Sequence, residues 1–347
     1  MSNIFILYTG GTIGMTPSDP TDLNSPLAPA NLDDLALYMP AIRPDGFFAS
    51  KSINLTYKSL SPLLDSSEFT PHDWVKMGRE ISENYSDYDG FVIIHGTDTM
   101  AYTASALSFM FSGLQKPVIV TGSQLPISNP RTDAVSNLTN AIYLAAAKSF
   151  NLPVINEVCI CFNDDLLRGN RATKFSTNDL EGFQSPNYPT LANLEERIHI
   201  KTQYLSKHES SNFSLSDKFD NNILVLPLFP GMNADHLKPV VEGQKIKGLV
   251  LRSFGAGNAP SDSKLLDILK LAKEKEIVVL NITQCYEGTV SNGKYQAAKG
   301  LESCGVVSGA DLTPEAAITK LMWCLANFDF DQCIQMIQTP LKGEMNL

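Results

Sequence analysis

The sequence is short of positive charge, of long apolar runs and of metal-binding spacings, and each shortage removes a class of function. Lys and Arg number 27 against 37 Asp and Glu, a formal net charge of −10. Nucleic-acid binding needs a basic footprint to neutralise phosphates, so no nucleic-acid partner is expected. A small zwitterionic or polar substrate is compatible with this balance. No stretch approaches the roughly 18 apolar residues of a membrane span. The opening MSNIFILYTGG has no basic segment ahead of its short apolar run, so no secretory leader and no membrane partner are expected, and the compartment expected is the cytoplasm. The 6 cysteines form no C-x-x-C pair, and Cys159 and Cys161 alternate in a strand-like run, which favours buried thiols over zinc ligands or disulfides. The 5 histidines show neither H-x-H nor H-E-x-x-H spacing, so no metal is expected. His95, the one histidine close to a motif, reads as a core residue. A G-x-S-x-G elbow and a P-loop are both missing, which leaves serine α/β-hydrolase and phosphoryl-transfer chemistry without support.

What is present is a repeated alternation of strands and helices. Strands are expected over Ile4–Tyr8, Phe91–His95, Val118–Thr121, Val158–Phe162, Ile223–Leu228, Gly248–Ser253 and Ile277–Thr283. Helices are expected over Pro71–Tyr85, Thr99–Phe111, Ala134–Ala147, Lys264–Glu274 and Pro314–Leu325. Such alternation implies βαβ units and an α/β fold built on parallel sheets. Thr70-Pro71 and Thr313-Pro314 each place an N-cap hydroxyl before a proline at the first helical position. Ala104, Leu107 and Phe111 form a core-facing stripe. At 347 residues the chain is long enough for two domains. Periodicity lapses over 201–222, a stretch rich in Ser, Asn and Lys, which divides a larger N-terminal domain (1–200) from a smaller C-terminal one (223–347).

The most informative segment is YTGGTIG, Tyr8 to Gly14, directly after the first apolar run. Gly10 and Gly11 allow a tight turn and close approach to a ligand, and Thr12 follows with its hydroxyl placed like a reactive group at a strand end, where open α/β sheets bind ligands. The glycines do not fit G-x-G-x-x-G, and Pro17, Pro20, Pro26 and Pro29 follow where that motif needs a helix, so a long loop is expected there rather than a dinucleotide site. Taken alone, the segment could as well be a structural turn. Three other strand ends are also polar: HGTDT (His95 to Thr99), TGSQLP (Thr121 to Pro126) and NDDLLRGNRATK (Asn163 to Lys174). Asp98 alone reads as a helix N-cap and Lys174 alone as a solvated lysine. In a parallel sheet, however, all four ends converge on one rim. A threonine hydroxyl is a poor nucleophile that needs a nearby base. A lysine with an adjacent aspartate could supply one, and backbone N–H groups of the Gly96-Thr97 turn could hold an oxyanion.

YTGGTIGM together with DGFVIIHGTDTMAYTASALSFM resembles the two signature segments of bacterial and archaeal L-asparaginases, in particular the cytoplasmic type I group. The likeness also takes in LLDSS (Leu64–Ser67), KPVIVTGSQLPI, RGNRATK, LRSFGAGNAP and GADLTPEAAITKLMW, and so runs along the whole chain. The resemblance implies that Thr12 is the nucleophile and that Thr97, Asp98 and Lys174 form a second triad assisting proton transfer. It implies that Asp65 and Ser66 bind the α-ammonium and α-carboxylate of L-asparagine, with Thr97 and Asp98 also at the substrate. The reaction implied is hydrolysis of the asparagine side-chain amide through an acyl-enzyme, with no metal or organic cofactor. A left-handed crossover in the larger domain and a homo-oligomeric state, dimer or tetramer, are implied as well. Thr173, Arg252, Asn258 and Cys285 resemble positions of a second, allosteric asparagine site in some type I members. One departure concerns the loop after the first signature, which in the family supplies a tyrosine that polarises the nucleophile: Met15 to Leu37 contains none. Two other functions fit the resemblance, an ammonia-supplying subunit of a tRNA-dependent amidotransferase and a non-catalytic asparagine-binding module.

Overall fold

Runs such as Ile4–Tyr8 and Phe91–Ile94 carry no polar side chain to present to water, and they form a sheet covered on both faces. In a computed structural model of the chain, which describes every residue except 20–24, 26, 30, 31, 208–210, 262 and 292–295, β1 (Ser2–Tyr8) lies between β2 (Ile53–Ser59) and β3 (Gly90–Ile94) and is parallel to both. β4 (Val118–Thr121) and β5 (Val158–Phe162) continue the parallel array beyond β3. β6 (Asp165–Arg168), β7 (Ala192–Leu194) and β8 (Ile198–Ile200) then extend it antiparallel, giving the order β8-β7-β6-β5-β4-β3-β1-β2.

The sheet is therefore mixed, parallel only from β2 to β5. The difference from a wholly parallel sheet starts at Asn163, which takes φ 53° in the two-residue turn joining Phe162 to its partner Asp165. Asparagine tolerates that left-handed conformation, and the turn folds the chain straight back. NDDLLRGNRATK is thus a turn, a strand and a return rather than one rim loop. On the return, Gly169 N–H donates to Val158 O (2.9 Å) and its carbonyl accepts from Ser105 Oγ (3.3 Å).

Among the helices that cover the sheet, α1 (Pro71–Glu83) starts where Thr70 N–H and Oγ1 both donate to Asp73 Oδ2, at 3.0 and 2.8 Å. α2 (Met100–Met110) is buried at every residue except Tyr102, so its apolar character is all-round and not a single stripe. α3 (Ala134–Ala145) turns Leu138, Ala141 and Ile142 to a core that includes Ile4, Ile6, Tyr8, Val92, Ile119, Cys159 and Cys161. The stretch after Gly14 is more regular than a bare loop. Met15–Pro17 pairs antiparallel with Leu27–Pro29, and a helix follows at Leu32–Tyr38 with Leu35 buried. Pro20, Pro26 and part of the expected loop lie outside the described residues.

The chain divides into units at Asp217/Lys218. Residues before that point belong to the first unit: Ser214–Leu215 pairs with Phe111–Ser112, and Phe213 stacks on Tyr85 with ring centroids 3.7 Å apart. The second unit is a parallel sheet of β9 (Ile223–Pro227), β10 (Gly248–Ser253), β11 (Val278–Thr283) and β12 (Val307–Ser308) in that order. One face packs Leu249 and Leu251 on Leu265 and Leu269 of α4 (Ser263–Glu274). The other packs Val250, Leu280 and Ile282 on α5 (Pro314–Asn327) and α6 (Phe330–Ile337). Thr313 Oγ1 caps α5 by accepting from Ala316 N–H at 3.2 Å, with Pro314 at the first position as expected. No helix among the described residues is long and apolar enough to cross a membrane. All 6 cysteines are free thiols, five of them buried and Cys285 exposed.

Candidate active site

The first signature turns off β1 at a pinned point. Thr9 N–H and Oγ1 both donate to Ile94 O, at 3.0 and 2.9 Å, so β1 and β3 end level. Gly10 and Gly11 follow with φ 116° and 90°, a region closed to other residues without strain. Their missing side chains also leave room for neighbours. A Cβ on Gly10 would fall inside contact distance of the Leu64 carbonyl oxygen, and one on Gly11 inside that of Gly96 Cα and N. Backbone packing therefore brings three segments together: the Thr12 turn, the Leu64–Ser67 stretch and the HGTDT stretch. Thr12–Gly14 closes as a single 3-10 turn, with Gly14 N–H on Gly11 O (3.3 Å) and Ile13 O accepting from Ile127 N–H (3.1 Å). Thr12 is half-buried, and its hydroxyl has no hydrogen-bond partner among the described residues.

Beside that turn, Lys174 Nζ donates to Thr97 Oγ1 at 2.8 Å and to Asp98 Oδ1 at 2.6 Å. Lys174 arrives because the return from Gly169 runs antiparallel to α2, and Thr173–Lys174 is held as a strand against Phe183–Gln184. Its side chain is 18% exposed where Asp98 is 60% exposed, so the ammonium end is sheltered and not a solvated surface charge. Asp98 does not cap a helix: α2 begins after Thr99, and the Asp98 carboxylate is taken by the lysine. Asp98 N–H donates to Ser66 Oγ (3.2 Å), and Thr99 Oγ1 donates to Ser66 O (2.7 Å). Ser66 is buried by these contacts and by Gly96, whose Cβ would fall 2.6 Å from Ser66 Oγ. Asp65 is exposed and accepts from Ser67 N–H (2.9 Å) and Oγ (2.8 Å). Those hydrogen bonds hold its carboxyl below the usual range against a smaller opposing effect of burial, and the charge of Lys174 adds to the lowering. The N–H groups of Gly11 and Thr97 meet no acceptor among the described residues.

The arrangement thus joins Thr12, Asp65, Ser66, Thr97, Asp98 and Lys174 at one rim. It offers a free hydroxyl, a lysine in contact with a second threonine, unpaired N–H donors and an ionised carboxylate. That is the equipment of nucleophilic acyl transfer on a small charged substrate. His95 stays apart as a core residue. Its Nδ1 meets Gly96 O at 2.6 Å, its Nε2 meets Thr103 Oγ1 at 2.9 Å, and Phe69 packs edge-on. Complete burial pushes its pKa down to about 4, so it is neutral near pH 7. Among the described residues no group of three metal-capable side chains occurs.

Thr173 lies in the first unit, whereas Arg252, Asn258 and Cys285 lie in the second. There the latter three share the carboxyl ends of β10 and β11. Arg252 O accepts from Gln284 Nε2 (2.7 Å), Asn258 O accepts from Phe254 N–H (2.9 Å), and Cys285 N–H donates to Thr283 Oγ1 (3.0 Å). One contributor has no place in the motifs of the sequence. Asn137, fully buried on α3, donates to Gly122 O (2.9 Å) and accepts from Asn163 N–H (2.9 Å), tying two rim segments together. Of the two asparagines in AVSNLTNAIYLA, Asn137 falls in helical register with Ala134, Leu138 and Ala141 on the buried face, and that was the available signal. Gly96, expected only as a backbone donor, also lets Gly11 and Ser66 pack closely against it, which no local pattern announces.

Similarity to known proteins follows the same division of the chain. The family model "Asparaginase, N-terminal" matches residues 3–206, and "Glutaminase/Asparaginase C-terminal domain" matches 222–337. L-asparaginase 1 of Escherichia coli K12 is 42% identical over 346 residues, covering 99% of this chain and 98% of that protein. The crystal structure of L-asparaginase I from Vibrio cholerae superposes with a TM-score of 0.88 at 40% identity, over 100% of this chain and 99% of that one. A glutamyl-tRNA(Gln) amidotransferase subunit of Saccharolobus solfataricus is 31% identical over 353 residues, covering 99% of this chain and 76% of that protein.

Proposed function

The chain belongs to the asparaginase family, and from that premise we infer that it hydrolyses the side-chain amide of L-asparagine to L-aspartate and ammonia. The observation that carries the reading is the Lys174 ammonium in contact with Thr97 Oγ1 and Asp98 Oδ1, beside a turn that leaves the Thr12 hydroxyl unpaired.

In this mechanism Thr12 Oγ1 attacks the amide carbon of asparagine. Its proton passes through Thr97 Oγ1 to Lys174 Nζ, which takes it as a neutral amine after releasing its ammonium proton to solvent, and Asp98 keeps the lysine at its station. The carbonyl oxygen becomes an oxyanion facing the N–H groups of Gly11 and Thr97, donors that need no reorganisation because no protein acceptor competes for them. Collapse of the tetrahedral intermediate returns a proton to the amide nitrogen, which leaves as ammonia, and an aspartyl ester remains on Thr12. Water activated by the same pair then releases aspartate. Asp65 and Asp98 attract the substrate's α-ammonium, while Ser66 binds its α-carboxylate. The lowered pKa of Asp65 keeps that carboxylate charged at neutral pH.

Ammonia release from asparagine and from glutamine by the wild type and Thr12→Val tests the assignment. We expect asparagine to be preferred and the variant to lose the activity; undiminished release would remove Thr12 as nucleophile. Lys174→Met is expected to lower kcat by about 100-fold or more. A change confined to KM would contradict its role in proton transfer. Likeness to an amidotransferase component supports a second reading, supply of ammonia to a partner enzyme. Full turnover by the isolated chain decides against it, and turnover only in the presence of a partner enzyme decides for it.

A further inference from the structure

The turn that carries Thr12 rests on a buried phenol. Tyr8, the last residue of β1, is fully buried and shares its face with Ile4 and Ile6. Its hydroxyl lies directly against Gly14: a Cβ built there would overlap the phenol oxygen and fall 2.6 Å from Cζ. No described group pairs with that hydroxyl. Burial pushes its pKa up to about 12, so it remains a neutral O–H. A buried hydroxyl without a partner costs stability that a phenylalanine of the same shape would not, so packing alone gives no reason for the oxygen.

The other supports of the turn show what the oxygen does. Gly14 N–H closes the turn on Gly11 O at 3.3 Å, and Ile127 N–H holds Ile13 O at 3.1 Å. Gly11 is backed by Gly96, with no room even for a methyl group between them. The turn is therefore pressed from the Gly96 side and supported from beneath by the phenol at Gly14. We propose that Tyr8 is a positioning residue for Thr12, its hydroxyl setting the height of the Gly11–Gly14 turn and so the station of the Thr12 hydroxyl. The inference rests on the assignment of Thr12 as nucleophile. It also makes Tyr8 and Gly14 a coupled pair, since a side chain at 14 needs a smaller one at 8.

The test measures kcat, KM and the unfolding midpoint for Tyr8→Phe, Gly14→Ala and the double variant Tyr8→Leu/Gly14→Ala, with Thr12→Val beside them. Tyr8→Phe is expected to keep KM and keep or raise the midpoint while lowering kcat roughly tenfold, since small misplacements of reacting groups are costly. Gly14→Ala is expected to lose more, and the double variant to recover part of that loss. Wild-type kcat in Tyr8→Phe with Thr12→Val inactive would overturn the proposal and leave the nucleophile standing. So would a joint fall in midpoint, KM and kcat, or a double variant no better than Gly14→Ala. Activity retained in Thr12→Val would instead remove the reading on which the proposal rests.

Discussion

His95 directly precedes the Gly96-Thr97 turn and is held as a neutral imidazole between Gly96 O and Thr103 Oγ1. Its folded pKa of about 4 lies below the ordinary histidine value of 6.5. Between those values the unfolded chain binds a proton that the folded chain refuses. The stability it contributes is therefore complete above the unfolded value and drains away as pH falls toward the folded one, by about 3 kcal/mol in all. Denaturant unfolding of the wild type and His95→Gln at pH about 7 and about 4.5 checks this. The wild type should lose more stability than the variant over that interval, and equal losses would contradict the burial account. At this scale the motif residues were the legible part. Thr12, Thr97 and Asp98 could be named because each follows a strand end, and Lys174 because it closes the polar segment after β5, though that segment proves to hold a further strand. What could not be read was the choice made by Asp98 between capping α2 and holding Lys174. That choice depends on where the return from β6 delivers the lysine, a tertiary fact.

Among the elements, strands with continuous apolar runs were readable because burial on both faces leaves no room for polar alternation. β3, β4, β5, β10 and β11 all lie within one residue of their expected bounds, and β1 starts two residues earlier than expected. β6, β7 and β8 were not. They run for 4, 3 and 3 residues, and their burial is partial. Only the left-handed Asn163 marks the reversal, and asparagine takes that conformation in many loops. The consequence reaches the site, since without the β5–β6 hairpin Lys174 would not return along α2. Prolines at 17 and 29 argued for irregular chain after Gly14, yet both end short antiparallel strands, and a helix follows at Leu32–Tyr38. Proline is tolerated at strand ends because the N–H it lacks need not join the ladder.

For the molecule as a whole, low basicity and the missing metal spacings left a small polar substrate and acyl-transfer chemistry open, which is the chemistry the family membership supports. The second unit depends on a buried ion pair that no motif signalled. Lys320 and Glu344 are both 0% exposed, with Nζ 2.5 Å from Oε1. Lys320 Nζ also donates to Ile337 O (2.9 Å) and Thr339 O (2.7 Å), so the chain after α6 is tied to α5. Glu344→Ala would leave an uncompensated buried ammonium and is expected to destabilise by about 3–5 kcal/mol, whereas Lys320→Met/Glu344→Leu should recover much of that loss. Denaturant midpoints of both variants measure it. A wild-type midpoint for Glu344→Ala would show that the pair contributes nothing to stability.

In the proposed reaction Thr12 carries the acyl group. Acid quench of the enzyme during asparagine turnover, followed by peptide mass analysis, tests it most directly. The account predicts an aspartyl ester on the peptide containing Thr12, present during turnover and gone once asparagine is exhausted. An aspartyl group on a different residue, with Thr12 unmodified throughout, would contradict it.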